Sequence, residues 1–140
     1  MLIEQIDDPV GPDGSAGTLV TIVRGGYVPH GTNFHTGPND QQQVATIRRS
    51  EGWQIEPHVH KKIRREVWHT PEVFVVKSGR MKLVVYNYSR FLVGSAIIKG
   101  GDVVIVHGGG HGIEFLEETI LVEIKQGPYF GRDADKEEIR

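Results

Sequence analysis

The chain has 140 residues, a formal net charge of −2 at pH 7, and 38% hydrophobic and 24% charged residues. This composition is that of an ordinary globular protein, and the length predicts one domain over residues 1–140. The small net charge and the lack of a basic stripe with interleaved aromatic residues argue against a nucleic-acid partner. The chain has no cysteine, which excludes disulfides and thiolate sites, so a metal would need histidine and carboxylate ligands.

The N-terminal residues MLIEQIDDPVGPDG include early acidic residues and lack the apolar core of about seven or more residues that a signal peptide has. No run approaches the ~18 consecutive apolar residues of a membrane-spanning helix. We therefore expect no signal peptide and no membrane partner. The lack of cysteine fits a reducing compartment, and we expect a cytoplasmic location.

Short segments rich in valine and isoleucine follow one another along the chain, separated by Gly, Pro, Asn or Ser, as is typical of strands bounded by turns. The predicted strands are TLVTIVR (18–24), QVATIR (43–48), EVFVVK (72–77), MKLVVYN (81–87), SAIIK (95–99), VVIVH (103–107) and TILVEIK (119–125). Many short strands at roughly 8–12-residue spacing predict an all-β antiparallel sandwich or barrel. Its core should span about 18–126, between a turn-rich lead-in at 7–17 and a charged tail at 131–140.

Two local patterns refine this prediction. The segment EVFVVK-SG-RMKLVVY predicts a hairpin closed by Ser78 and Gly79, because glycine tolerates the positive φ of a tight turn. The segment WQIEPHVH (53–60) predicts an extended strand that ends in His58 and His60. Side chains alternate across a strand, so these two imidazoles should share a face. Such a pair alone is weak support for a metal site, and a surface coincidence is the simpler interpretation.

Two further polar residues stand at the head of apolar strand faces. Glu72 shares a face with Phe74, where a carboxylate is costly to bury unless it is paired or ligated. His111 shares a face with Ile113 and Phe115. A half-solvated rim position for Glu72 and a hydrogen-bonded core position for His111 are the structural alternatives.

These residues, with the glycines around them, resemble the two motifs of the cupin superfamily. The first motif reads Gly52, five residues, His58-Val59-His60, then Glu72, six residues and Gly79, and the second is GGDVVIVHGGGHGIEF (100–115). The resemblance covers about residues 43–126. It implies a double-stranded β-helix, the cupin jelly-roll barrel, with one divalent transition metal (Fe, Mn, Ni or Zn) held by His58, His60, Glu72 and His111.

Eleven residues, KKIRREVWHTP (61–71), separate the first motif's histidines from its glutamate, a longer spacer than the family usually has. We expect this loop to overhang the barrel mouth. Arg64 and Arg65 are then candidates for binding an anionic ligand, because guanidinium groups bind carboxylate or phosphate through two parallel hydrogen bonds. Trp68 is a candidate pocket wall, and His69 could replace His60 as a metal ligand. A solvated loop tip is the alternative.

The chain also looks like a group of small cupins associated with sugar and polysaccharide biosynthesis. We expect chemistry on a small hydroxylated or anionic metabolite, with an isomerase or epimerase first and a metal-dependent dioxygenase second. His69, His107 and Arg65 are the candidate acid–base groups. A non-catalytic small-molecule-binding cupin, as a sensor or accessory subunit, is the alternative. Exposed sheet edges predict a homodimer, with TLVTIVR as the strand that crosses to the partner.

Overall fold

The computed structural model describes residues 1–10 and 17–140, so most of the predicted lead-in at 7–17 lies outside the described residues. The regular secondary structure of the described part is almost entirely β-strand, and every strand pairing in it is antiparallel. The all-β antiparallel prediction is therefore confirmed. The elements are β1 Ile3–Asp8, β2 Gly17–Val23, β3 Thr32–Phe34, β4 Ala45–Ile47, β5 Glu72–Ser78, β6 Arg80–Tyr86, β7 Leu92–Lys99, β8 Val103–Val106, β9 Gly110–Phe115, β10 Ile120–Lys125 and α1 Arg132–Asp135.

The chain divides into two compact units, the first made of Met1–Tyr27 with His69–Arg140 and the second of Val28–Trp68. The first unit contains a five-stranded sheet in the order β1-β2-β8-β5-β10 and a three-stranded sheet in the order β7-β6-β9. Buried side chains from both sheets form one apolar cluster, which includes Val20, Ile22, Phe74, Val76, Met81, Leu83, Val85, Ile98, Val104 and Val106. The two sheets of this unit therefore pack face to face.

The predicted strands of the first unit are confirmed, but the hairpin at Ser78–Gly79 is wrong. β5 pairs with β8 and β10, whereas β6 pairs with β7 and β9. Gly79 has φ 92° and carries the chain from the five-stranded sheet to the three-stranded one. A short turn that contains glycine has the same local sequence in a hairpin and in a connection between two sheets. The pairing with strands far away in the sequence decides which of the two forms.

The close approach at Gly79 gives a direct test of this sheet-to-sheet turn. A Cβ there would meet the Glu118 carbonyl oxygen at 2.3 Å, whereas a Cβ at Gly52, with φ 83°, would meet nothing within 4 Å. We expect Gly52→Ala to cost about 1 kcal/mol through backbone strain alone. Gly79→Ala should cost about 3 kcal/mol or more, because backbone atoms must move in addition to the strain at positive φ. Urea unfolding of both variants checks this, and equal losses would contradict the close packing at Gly79.

The N-terminal strand β1 was not predicted, because its acidic end runs into Asp7-Asp8-Pro9 and resembles a turn. It forms the edge of the five-stranded sheet and pairs with β2. As a result β2 lies between β1 and β8, inside its own sheet. The strand TLVTIVR, which we expected to cross to a partner chain, is therefore not an edge strand. The homodimer stays a prediction.

Asp102, which begins the second sequence motif's strand, has a structural role. Its side chain is completely buried. It accepts hydrogen bonds from the backbone N–H groups of Gly25 and Lys99 and from the Arg24 guanidinium, each at 2.9 Å. These bonds compensate the cost of burying a carboxylate. They also fix the β7–β8 turn against the residues that follow β2.

The second unit contains a two-stranded antiparallel sheet, in which Thr32 of β3 lies opposite Ile47 of β4. Residues 48–71, all of them described, contain neither helix nor strand, so the predicted strand at 53–60 is wrong. Pro57 lacks an N–H group, and an extended segment becomes a strand only when a neighbour pairs with it. No helix among the described residues is long and apolar enough to span a membrane.

Candidate functional site

Glu72 begins β5 as a buried carboxyl group. The residue is 8% exposed, and the next two residues on its face, Phe74 and Val76, are 3% and 1% exposed. This matches the inward-facing row expected from the sequence. Glu72 therefore continues the buried apolar row of β5, and its carboxyl group has lost most of its contact with water.

His111 of β9 faces Glu72 from the opposite sheet. Its Nε2 lies 3.8 Å from Glu72 Oε2, and its ring packs edge to face on Phe74 with 5.8 Å between ring centroids. A distance of 3.8 Å is too long for a hydrogen bond. The structure thus brings together one candidate ligand from each sequence motif, with the two heteroatoms facing each other and not bonded.

Two residues of β10 complete this cluster. In the antiparallel register, Lys125 lies opposite Glu72 and Glu123 lies opposite Phe74, so both side chains are on the same face of the sheet as Glu72. Sequence analysis missed them. The available signal was the alternation in TILVEIK, where Glu123 and Lys125 share a face with Leu121, but only the strand register shows which residues they meet.

The pKa of Glu72 is raised to about 7, mainly by burial and then by the neighbouring Glu123 carboxyl group, while the positive charges of Lys125 and Lys136 act in the opposite direction. Burial also lowers the pKa of His111, with a further contribution from the positive charge of Lys136. The imidazole is therefore neutral at pH 7, and the Glu72 carboxyl group exchanges its proton near neutral pH. Both are properties of groups that bind metals or transfer protons.

The candidate acid–base residue His107 lies elsewhere. Its Nε2 is 2.8 Å from the Thr21 hydroxyl, and Thr21 is 1% exposed. Along β8, Val104 and Val106 face the interior, so alternation places His107 on the opposite face of the sheet from Glu72. His107 is hydrogen-bonded at this position, and its acid–base role stays a prediction.

The remaining predicted residues are exposed. His58 and His60 belong to the second unit, where their ring centroids are 5.3 Å apart and His58 Nδ1 lies 2.7 Å from the Glu56 carbonyl oxygen. If that nitrogen donates to the carbonyl, Nε2 is left as the potential ligand atom. The loop and flanking residues Arg64, Arg65, Trp68 and His69 are exposed as well, and Arg64 pairs with Glu66 at 3.0 Å.

The four predicted metal ligands are thus divided between the units, two in each. Within residues 1–10 and 17–140, no group of three or more histidine or acidic side chains is already arranged as a metal site. The ligand roles of His58 and His60, the alternative role of His69 and the binding roles of Arg64, Arg65 and Trp68 stay predictions.

Comparison of the chain with protein-family models, with curated proteins and with solved structures finds no match.

Proposed function

We propose that the chain is a small cupin-like protein whose Glu72–His111 pair binds one divalent transition metal, and that it isomerises or epimerises a small hydroxylated or anionic metabolite. The observation that carries this proposal is the approach of Glu72 Oε2 to His111 Nε2 at 3.8 Å without a hydrogen bond. The jelly-roll arrangement belongs to the same proposal. It is supported by the two antiparallel sheets that pack face to face in the first unit.

The donor set fits a divalent ion. Neighbouring ligands of a first-row metal, each about 2.1 Å from it, lie about 3–3.5 Å apart, so a small inward adjustment of these two side chains suffices. Imidazole nitrogen and carboxylate oxygen suit Fe, Mn, Ni or Zn. Glu123, which shares the sheet face of Glu72 and contributes to its raised pKa, is a further carboxylate in the same cluster. Metal binding requires a neutral imidazole and ionised carboxylates, and burial already keeps His111 neutral.

A metal at this position would supply Lewis-acid polarisation of a carbonyl next to a hydroxyl group. The chain's own residues supply the other functions. With Glu72 as a metal ligand, Glu123 is the neighbouring carboxylate that can accept a proton from a carbon next to a carbonyl. Lys125, opposite Glu72, provides a positive charge that favours an enolate-like oxygen.

Isomerisation through an enolate predicts exchange of a carbon-bound hydrogen with solvent. The experiment incubates metal-loaded protein in D2O with a panel of aldoses, ketoses, sugar acids and sugar phosphates, and follows deuterium incorporation by NMR. We expect exchange next to the carbonyl of at least one compound, and its loss in Glu123→Gln. Binding without exchange for every compound would support the non-catalytic alternative and contradict the proposed reaction.

A further inference from the structure

Glu72 and His111 are well covered, although both lie at strand ends. Glu72 is the first residue of β5 and His111 the second residue of β9, yet their side chains are only 11% and 23% exposed. Chain segments that run over the surface commonly provide such cover at the ends of strands. The C-terminal segment 131–140 contacts a direct neighbour of each of the two residues.

The first contact is the ion pair between Asp135 and Lys125. Lys125 lies directly opposite Glu72 in the β10–β5 register and on the same face of the sheet, and its Nζ donates to Asp135 Oδ2 at 3.2 Å. The ammonium group also lies 4.8 Å from the centre of the Tyr129 ring. Because the two charged side chains are only 22% and 13% exposed, this pair is less screened by water than an ordinary surface ion pair.

The second contact is made by Ile139, the one apolar residue of the terminal KEEIR. Its side chain fills the space where a Cβ at Gly110 would lie, beside Tyr86, and Gly110 directly precedes His111. Glu137 adds an ion pair with Arg90 at 3.0 Å, in the turn between β6 and β7. The segment therefore contacts the five-stranded sheet at Lys125 and the three-stranded sheet at Gly110.

The residues between these contacts pass from one sheet to the other. Lys136 has an extended backbone, with φ −127° and ψ 147°. Four extended steps of about 3.3 Å lead from Asp135 to Ile139, or roughly 13 Å, and packed sheets lie about 10 Å apart. Since Glu72 and His111 also face each other from the two sheets, the crossing runs beside their pair.

We infer that residues 131–140 form a strap that covers the Glu72–His111 pair and must release Lys125 and Gly110 before a small molecule reaches it. The strap is held by one partly buried ion pair, one apolar side chain and one exposed ion pair. It should therefore open at a far lower free energy than the first unit unfolds. The inference concerns access to the pair and holds whether or not the pair binds a metal.

The test uses the full chain, which has no cysteine, so that His111→Cys places a single thiol at the pair. The rate of its alkylation by iodoacetamide is measured in EDTA-treated protein and expressed per thiolate, with the thiol pKa determined for each variant. In this background, we expect Asp135→Asn to raise the rate about tenfold, the scale of a lost charged hydrogen bond. Ile139→Ala should also raise it, and the two changes together should exceed either one.

Asp133→Asn is the matched control, because Asp133 lies in the same helix and its side chain is fully exposed; it should leave the rate unchanged. A second reporter, Lys77→Cys, places the thiol on the face of β5 opposite to Glu72, and its rate should not respond to Asp135→Asn or Ile139→Ala. Equal rates at His111→Cys with and without the strap changes would overturn the inference. A parallel rise at both reporters would also overturn it, because the whole unit would then have loosened.

Discussion

Replacing His111 with alanine should weaken binding of Zn(II) or Co(II) at pH 7.5 by more than about 100-fold. Outer-shell partners of metal ligands already contribute about 10–100-fold to affinity, and loss of a direct ligand should exceed that. His111 faces Glu72 at 3.8 Å from β9, and the three strands of its sheet contain no other histidine that could substitute for it. Isothermal titration calorimetry with each metal measures the change.

His107→Ala is the control for this variant. It also removes one imidazole, but His107 is bonded to Thr21 on the other face of the five-stranded sheet. We expect its metal affinity to be unchanged, although the lost hydrogen bond lowers the free energy of unfolding by about 1 kcal/mol. The combined variant His58→Ala with His60→Ala tests the rest of the predicted ligand set. Unchanged affinity in that variant would remove these two residues from the set, and unchanged affinity in His111→Ala would contradict the proposed site itself.

Glu72→Gln should stabilise the metal-free protein at pH 8 by up to about 3 kcal/mol. The pKa of Glu72 is raised from 4.5 to about 7 in the folded protein, and each pH unit of such a difference corresponds to about 1.4 kcal/mol. Because the folded state holds this proton more tightly, the contribution is complete below pH 4.5 and is lost as the pH rises through 7. Glutamine stays neutral and avoids the loss.

Urea unfolding of EDTA-treated protein at several values between pH 5 and pH 8.5 measures this effect. The stability of the unaltered protein relative to Glu72→Gln should fall as the pH rises. Glu114→Gln is the control, since Glu114 is exposed on β9, and it should follow the unaltered protein. At pH 8, a saturating concentration of metal should make the unaltered protein more stable than Glu72→Gln, because only the carboxylate gains stability from the bound ion. A constant difference between the two proteins across this range would contradict the buried, paired state of Glu72.

The sequence correctly predicts which side chains face inward where the alternation within a single strand determines the answer. The alternation in EVFVVK places Glu72 with Phe74 on the inner face, and the structure buries both. The run around His111 likewise predicts an inward imidazole. Each depends only on the period-two geometry of a strand, which the sequence contains in full.

The predictions that failed, and the residues that were missed, depend on pairing between strands that are far apart in the sequence. The Ser78–Gly79 turn has the same local chemistry in a hairpin as in a connection between sheets. Residues 53–60 are compatible with an extended backbone, but nothing nearby in sequence supplies a pairing neighbour. Glu123 and Lys125 join the cluster through the β10–β5 register. None of these contacts can be recognised from a stretch of ten consecutive residues.

Anomalous diffraction from crystals of the Co(II)-loaded protein tests the central claim most directly. The proposed site predicts one cobalt peak per chain, within about 2.0–2.3 Å of a Glu72 carboxylate oxygen and of His111 Nε2. Data collected on both sides of the cobalt absorption edge distinguish this ion from other scatterers. Cobalt bound only at other residues, or no cobalt in protein that was saturated with it before crystallisation, would contradict the claim.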